Sequence, residues 1–453
     1  MHWLSIAVLG GMFVLATALP INMGLIAFVG AFLVGTLVAG MGAKEIMGGF
    51  PADLFLTLAG ITYLFALAQN NGTINWLVSM AVRAVRGRIA AIPWIMFLIT
   101  AALTAVGAVS PAAVAIIAPI ALGFARQYGI NPLLMGLLVI HGAQGGGFSP
   151  ISIYGGITNR VVSAAGLPLN EMATMMASLS INLAVSILLF VWMGGLKLMR
   201  QKVDLSSADV NVARVAHGSG GPQVFGDAEA EAFGEERKTA RKSPDALVEA
   251  GNGANEAPHW YRVLTLVGLF ILAVLTLFFK QDIGFTSITI GLVLTLMAPN
   301  LQKRALGQVS WPEIMLIVGV STYVGVMESM GTIDFVGHSV AQLTSPLMAA
   351  LLLLFVGAVV SAFASSTAVL GSLIPLAVPF LQGDGGVGPV GFIAAMAVSS
   401  TIVDVSPFST NGALVLANAQ GVSRDAFFRQ LLLYGAAVTV IAPVVVWLLF
   451  VVL

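Results

Sequence analysis

Cysteine is absent from this chain of 453 residues. That excludes disulfides, thiolate chemistry and Cys-ligated metals, and leaves the redox compartment open. Charge is scarce too: 20 basic and 20 acidic residues make up 9% of the chain and cancel to zero. Without a basic surplus there is no electrostatic footprint for nucleic acid. Five histidines without close pairing give no metal-site spacing. What fills the chain is apolar, with 58% hydrophobic residues and a mean hydropathy of +0.97. Several apolar runs reach the roughly 20 residues needed to cross hydrocarbon. The composition is that of a membrane protein whose solvent is the lipid bilayer.

Near the start, Ala16-Thr17-Ala18 looks like a signal-peptidase site. No Lys or Arg precedes the apolar run, as a signal peptide requires, so residues 3–19 read as a retained first helix.

The chain states its motifs twice. Gly60-Ile61-Thr62 and Gly72-Thr73-Ile74 return 259 residues later as Gly319-Val320-Ser321 and Gly331-Thr332-Ile333. Val109-Ser110-Pro111-Ala112, with Pro119 behind it, returns after 256 residues as Ser365-Ser366-Thr367-Ala368 with Pro375. Phe148-Ser149-Pro150-Ile151-Ser152 returns after 257 residues as Val405-Ser406-Pro407-Phe408-Ser409. Shared order and spacing mark an internal repeat, which in a membrane protein signals a secondary transporter with its site at matching helix interruptions.

The expected architecture is all-α and polytopic. Repeat 1 (residues 1–202) has spans near 3–19, 22–40 and 52–70, an amphipathic stretch at 73–90, and half-length pieces at 92–109 and 111–126. A span broken in its middle, 132–165, and a closing span, 171–197, follow. Repeat 2 (259–453) runs in parallel: 260–280, 283–299, 311–329, half-pieces 346–364 and 366–381, broken span 389–420 and closing span 427–452. Residues 203–258 hold ten of the 20 acidic residues and little apolar periodicity. They read as a disordered cytoplasmic linker.

The half-pieces are either full spans or re-entrant hairpins, and the positive-inside rule chooses. With hairpins, each repeat crosses five times, the second is inverted, and 17 of the 20 Lys and Arg fall on one side. Lys44, Arg160 and Lys280 remain on the other. The majority side is the cytoplasm of a cell inner membrane, with both termini outside.

Non-helical backbone is costly at membrane depth unless it lines a buried or polar space. Two hairpin tips and two broken spans therefore point to one central cavity. Helices starting there aim free N–H groups and positive dipole ends at it, which suits an anion. Ser110, Ser365, Ser366 and Thr367 at the tips add neutral donors. So do Ser149, Ser152, Ser406, Ser409, Thr410 and Asn411 at the breaks. Carbonyls exposed at the other half-helix ends suit a cation such as sodium.

Asp404 is the carboxylate placed deep in a span, tolerable there beside a cation or when protonated. It reads as a cation-coupling residue, with a structural acceptor as the plainer reading. His141 reads as packing inside the bundle. Asp53, Glu313 and Glu328 lie near span ends, where solvation is the simpler account. A Ser-Pro step is equally the mark of a plain kink; its repetition beside Gly145-Gly146-Gly147 and Ser409-Thr410-Asn411 favours a site.

At these residues the chain resembles the divalent anion/sodium symporter family of the wider ion-transporter superfamily, and most of all MatC-type malonate and dicarboxylate carriers. The likeness covers the chain outside 203–258. It implies two inverted repeats, each with a re-entrant hairpin and an unwound helix, working by an elevator motion. The family's Ser-Asn-Thr tips fall on Val109-Ser110-Pro111 and Ser365-Ser366-Thr367. Both asparagines are missing, and the first tip keeps one hydroxyl.

The expected function is cation-coupled secondary transport of a small dicarboxylate, without enzymatic chemistry. No cofactor is expected; sodium or a proton is the coupling ion. A proton-coupled carrier of another organic anion is the nearest alternative. An intramembrane hydrolase is a remoter one, since it would want a Ser–His or paired-Asp arrangement. Expected partners are the anion, the bilayer and, as an open option, a second copy of the chain.

Overall fold

The computed structural model describes residues 1–19, 21–74, 76, 77, 80, 88–199, 258–333, 335, 336, 339, 345–362, 366–382, 387–419 and 421–453. The expected linker, all but its last residue, lies outside them, as do much of the 73–90 stretch and Ser365. The first half carries α1 (His2–Ala18), α2 (Met23–Leu33), α3 (Ala52–Asn70), α4 (Ala91–Ala105), α5 (Ser110–Tyr128), α6 (Pro132–Gly146), α7 (Ile153–Ala164) and α8 (Glu171–Trp192). The second carries α9 (His259–Leu277), α10 (Ile283–Met297), α11 (Trp311–Ser329), α12 (Pro346–Ser361), α13 (Ser366–Leu381), α14 (Pro389–Ile402), α15 (Thr410–Asn418) and α16 (Arg424–Trp447). Each starts between 253 and 260 residues after its counterpart.

Local chemistry sets the helix ends. Asn22, Asn131, Asn170 and Asp282 each accept a bond from the first turn of the helix they precede, satisfying N–H groups that lipid cannot. Gly129 closes α5 in the left-handed region, at φ +64. Because Pro119 costs only local bonding, α5 runs on for 19 residues and is long enough to cross a membrane. The sequence reading places a piece at 111–126, which α5 extends by one residue at its start and two at its end. Its counterpart α13 has 16 residues.

Two reciprocal packings join the halves. Gly24 of α2 meets the backbone of α11 at Met315 and Gly319, and Gly60 of α3 meets Gly284 and Ser287 of α10. Small residues let these backbones approach closely. Each half thus lends one helix to the other's partner. Apolar side chains cover the outside, and Trp3, Trp192 and Trp260 stand exposed at helix ends, where interfacial tryptophans belong. The chain is an all-α polytopic membrane protein.

Candidate functional site

Between α14 and α15 the helix breaks. Val403–Val405 forms a single 3-10 turn before Ser406-Pro407, and Asp404 sits in it, 6% exposed. Proline cannot donate the bond that would carry the helix through. Ser366, the first residue of α13, donates to Asp404 Oδ1 at 2.7 Å. Ser361, the last residue of α12, lies 2.7 Å from the Ser366 hydroxyl. The Tyr154 hydroxyl, from the start of α7, donates to Oδ2 at 3.5 Å. Thr367 then donates to Glu313 Oε2 at 3.4 Å. One helix start therefore presents two successive hydroxyls to two carboxylates. Among the described residues, Glu313 is the charged group that acts on Asp404.

The other tip joins the same cluster. The Asn411 amide nitrogen, on α15, donates to Ser110 Oγ at 2.9 Å, and Ser110 is within hydrogen-bonding reach of Tyr154. The Asn411 carbonyl oxygen is buried without a partner. The first tip thus meets the broken helix of the second half, while Ser366 at the second tip bonds Asp404 of its own half.

The remaining expected residues do other work. Ser152 donates to the carbonyls of Gly147 and Ser149 and accepts from Gly155 N–H. Ser409 repeats this with Asp404, Ser406 and Gly412. Ser149 donates to the Ala105 carbonyl, and Ser406 accepts from Phe408 N–H at 3.3 Å. These four serines close the two breaks instead of standing free for a ligand. Thr410 is exposed, and Ser365 lies outside the described residues. Arg160 is ion-paired with Asp53, so it is already occupied. His141 bonds Asn182 at 2.8 Å and Tyr434 at 2.7 Å, as a packed bundle histidine does.

Sequence reasoning missed Tyr154, Ser361 and Glu313. Tyr154 stood four residues past the Ser149-Pro150 step, a position that could have been flagged. Glu313 gave no such signal, because only tertiary packing brings the first turn of α11 to the tip.

A small pocket lies beside the first tip. Thr62, Phe65 and Gln69 of α3 line one wall, Val109 and Ala112 around the first tip line the other, and Gln308 and Ser310 stand at its edge. Gly107, at φ +118, allows the tip to press on α3, since a Cβ there would come within 2.6 Å of Ile61 Cγ2.

A family model for the dicarboxylate carrier protein MatC N-terminus matches residues 1–147. A search of curated proteins gives no match. Two solved structures share the fold. Neisseria gonorrhoeae MtrF, described as illuminating a class of antimetabolite efflux pumps, superposes with a TM-score of 0.55 at 13% identity, over 93% of this chain and 85% of its own. The Alcanivorax borkumensis YdaH transporter, described as having an unusual topology, gives 0.54 at 12%, over 89% and 86%. The fold is that of polytopic membrane transporters.

Proposed function

We propose that this protein is a cation-coupled secondary carrier of a small dicarboxylate, of the malonate or C4 type, in the inner membrane. The anion sits where Ser110, Asn411, Ser366 and Thr367 converge. Hydroxyls, an amide and helix starts hold its carboxylates, and cations held with Asp404 offset the charge. The match of residues 1–147 to dicarboxylate carriers supports the substrate class.

One observation carries the transport mechanism. The first tip, at Gly107, meets α3 at Ile61, its tenth residue. The second tip, at Thr367, meets α11 at Glu313, its third. The two tips thus each rest against the equivalent helix of the two halves, the first on α3 and the second on α11. In an inverted pair, exchanging the arrangements of the two halves yields the other membrane-facing state. The cross-packed helices α2, α3, α10 and α11 form the scaffold, and the hairpins with their broken helices slide along it. In this state the pocket beside the first tip has Gln308 and Ser310 at its edge, near Lys303 and Arg304, the cytoplasmic side by charge.

The test is uptake of labelled malonate and succinate into proteoliposomes, with imposed sodium or proton gradients. Gradient-driven accumulation is expected. Uptake of neither dicarboxylate under either gradient would overturn the reading.

A further inference from the structure

We propose that Gln144 is a specificity residue of the carrier, whose side-chain amide pairs at both its ends with one carboxyl of the dicarboxylate in its protonated form. The species taken up is then the monoanion, with one carboxylate and one carboxylic acid. This rests on the carrier reading above and narrows its substrate to the half-protonated form of a dicarboxylate.

Gln144 stands in the last turn of α6, at the first break, and is fully buried. Neither its amide oxygen nor its amide nitrogen has a hydrogen-bond partner among the described residues. The polar groups beside it on α8 are engaged elsewhere. Ser178 donates to the Gln144 backbone carbonyl at 2.9 Å, and Asn182 donates to the Ser178 carbonyl and bonds His141. A primary amide has two N–H donors and an oxygen with two lone pairs. Burying both ends unpaired is costly. The second half avoids that cost: at the 257-residue offset Gln144 becomes Thr401, which donates to the Ala397 carbonyl at 2.8 Å within its own helix. Gln144 thus breaks the symmetry of the two halves with an amide that is free at both ends.

Helix geometry turns this side chain towards the second break. Residues three apart share a helix face, so Gln144 lies between His141 and Gly147. His141 bonds Tyr434 of α16 at 2.7 Å, and the next residue, Gly435, packs on Ser406. A Cβ at Gly147 would come within 2.9 Å of the Tyr154 ring, and the Tyr154 hydroxyl bonds Asp404. Between these two bearings lies the Val403–Val405 turn, against which α6 packs. The ligand that satisfies the amide must offer a donor and an acceptor side by side. A carboxylate has acceptors alone and would set its lone pairs against the amide oxygen. A metal cation would leave the N–H groups unpaired. A carboxylic acid gives its O–H to Oε1 and takes an N–H from Nε2 in one plane, and a carboxamide can do the same.

The experiment measures inhibition of labelled malonate or succinate uptake into proteoliposomes by the monoamide and by the monomethyl ester of the same acid. Both analogues carry one negative charge, and only the monoamide can give a hydrogen to Oε1 while accepting from Nε2. All measurements are made at one pH, so no titrating side chain enters the comparison. Wild-type protein should bind the monoamide about tenfold more tightly, the effect of leaving one buried acceptor unpaired. Gln144→Leu and Gln144→Met fill the space without an amide and should erase that preference. Where a variant does not transport, the shift in its melting temperature with each analogue reports binding instead. Equal inhibition by the two analogues in the wild type would overturn the proposal and leave the carrier reading intact, as expected if a buried water alone satisfies the amide. That ranking needs no variant to fold. A preference that survives in either variant would also overturn it, since the discrimination would then lie elsewhere. Failure of the wild type to take up any dicarboxylate would instead defeat the carrier reading, and this proposal with it.

Discussion

Asn411 reaches from the second half of the chain to Ser110 in the first, amide nitrogen to hydroxyl, at 2.9 Å. The contact spans 301 residues and closes one side of the cluster around Asp404. It uses one of the two N–H donors of the Asn411 amide, and the second can be given to an anion in the site.

Asn411→Ala should therefore weaken dicarboxylate binding more than it lowers protein yield. Losing a bond within a site for a charged ligand is worth roughly 1.5–3 kcal/mol, so KM should rise by about tenfold or more. Ser110→Ala alone should cost less, because Asn411 would remain. The double variant should show strong non-additivity. Additive effects would mean that the two side chains act separately.

Much of this arrangement was legible in the sequence. The two Ser-Pro steps announce the breaks because proline lacks the N–H that continues a helix. The spacing of the three duplicated motifs foretells the paired order of α1–α8 and α9–α16. What the sequence did not carry is the direction of each hydroxyl. Ser152 and Ser409 look like ligand donors by type, yet both turn back onto carbonyls of their own loops. An unpaired carbonyl at membrane depth costs more than a serine in solvent gains, and the break claims its own serine first. Glu313 was hidden for another reason. Its sequence position, at the start of α11, is that of a solvated end, and tertiary packing brings Thr367 to it.

Asp404→Asn should flatten the dependence of uptake on the coupling cation while preserving the ranking among dicarboxylates. The amide keeps one acceptor, for Ser366 or Tyr154, but cannot take up a proton or offset a cation. Reconstituted protein assayed across external pH and sodium provides the check. Cation and pH dependence matching the wild type would reduce Asp404 to an acceptor that closes the helix break.

Topology can be tested directly because the chain has no cysteine of its own. Gln127 and Leu169 are exposed on either side of the α6–α7 broken span. Gln127→Cys should react with an impermeant thiol reagent from the cytoplasmic side, and Leu169→Cys from the outer side. Labelling of both from the same side would contradict the five-crossing repeat.

The seating of the two tips makes the sharpest prediction. Thr367 of the second tip lies against Glu313 of α11, and Gly107 of the first lies against Ile61, midway along α3. If the two halves exchange arrangements during transport, the second tip, which carries Thr367, moves along α11 from Glu313 towards Val320, the counterpart of Ile61 by the 259-residue offset of α3 and α11. The paired substitutions Thr367→Cys with Glu313→Cys should cross-link readily in the state described here. Thr367→Cys with Val320→Cys should cross-link only as the carrier visits its opposite state. Substrate with the driving gradient should change the yield of the two pairs in opposite directions. Gating by small movements at the tips alone would never bring Thr367 to Val320, since those positions lie about 10 Å apart along one helix. A second pair that stays uncross-linked during active turnover would therefore rule out the sliding motion.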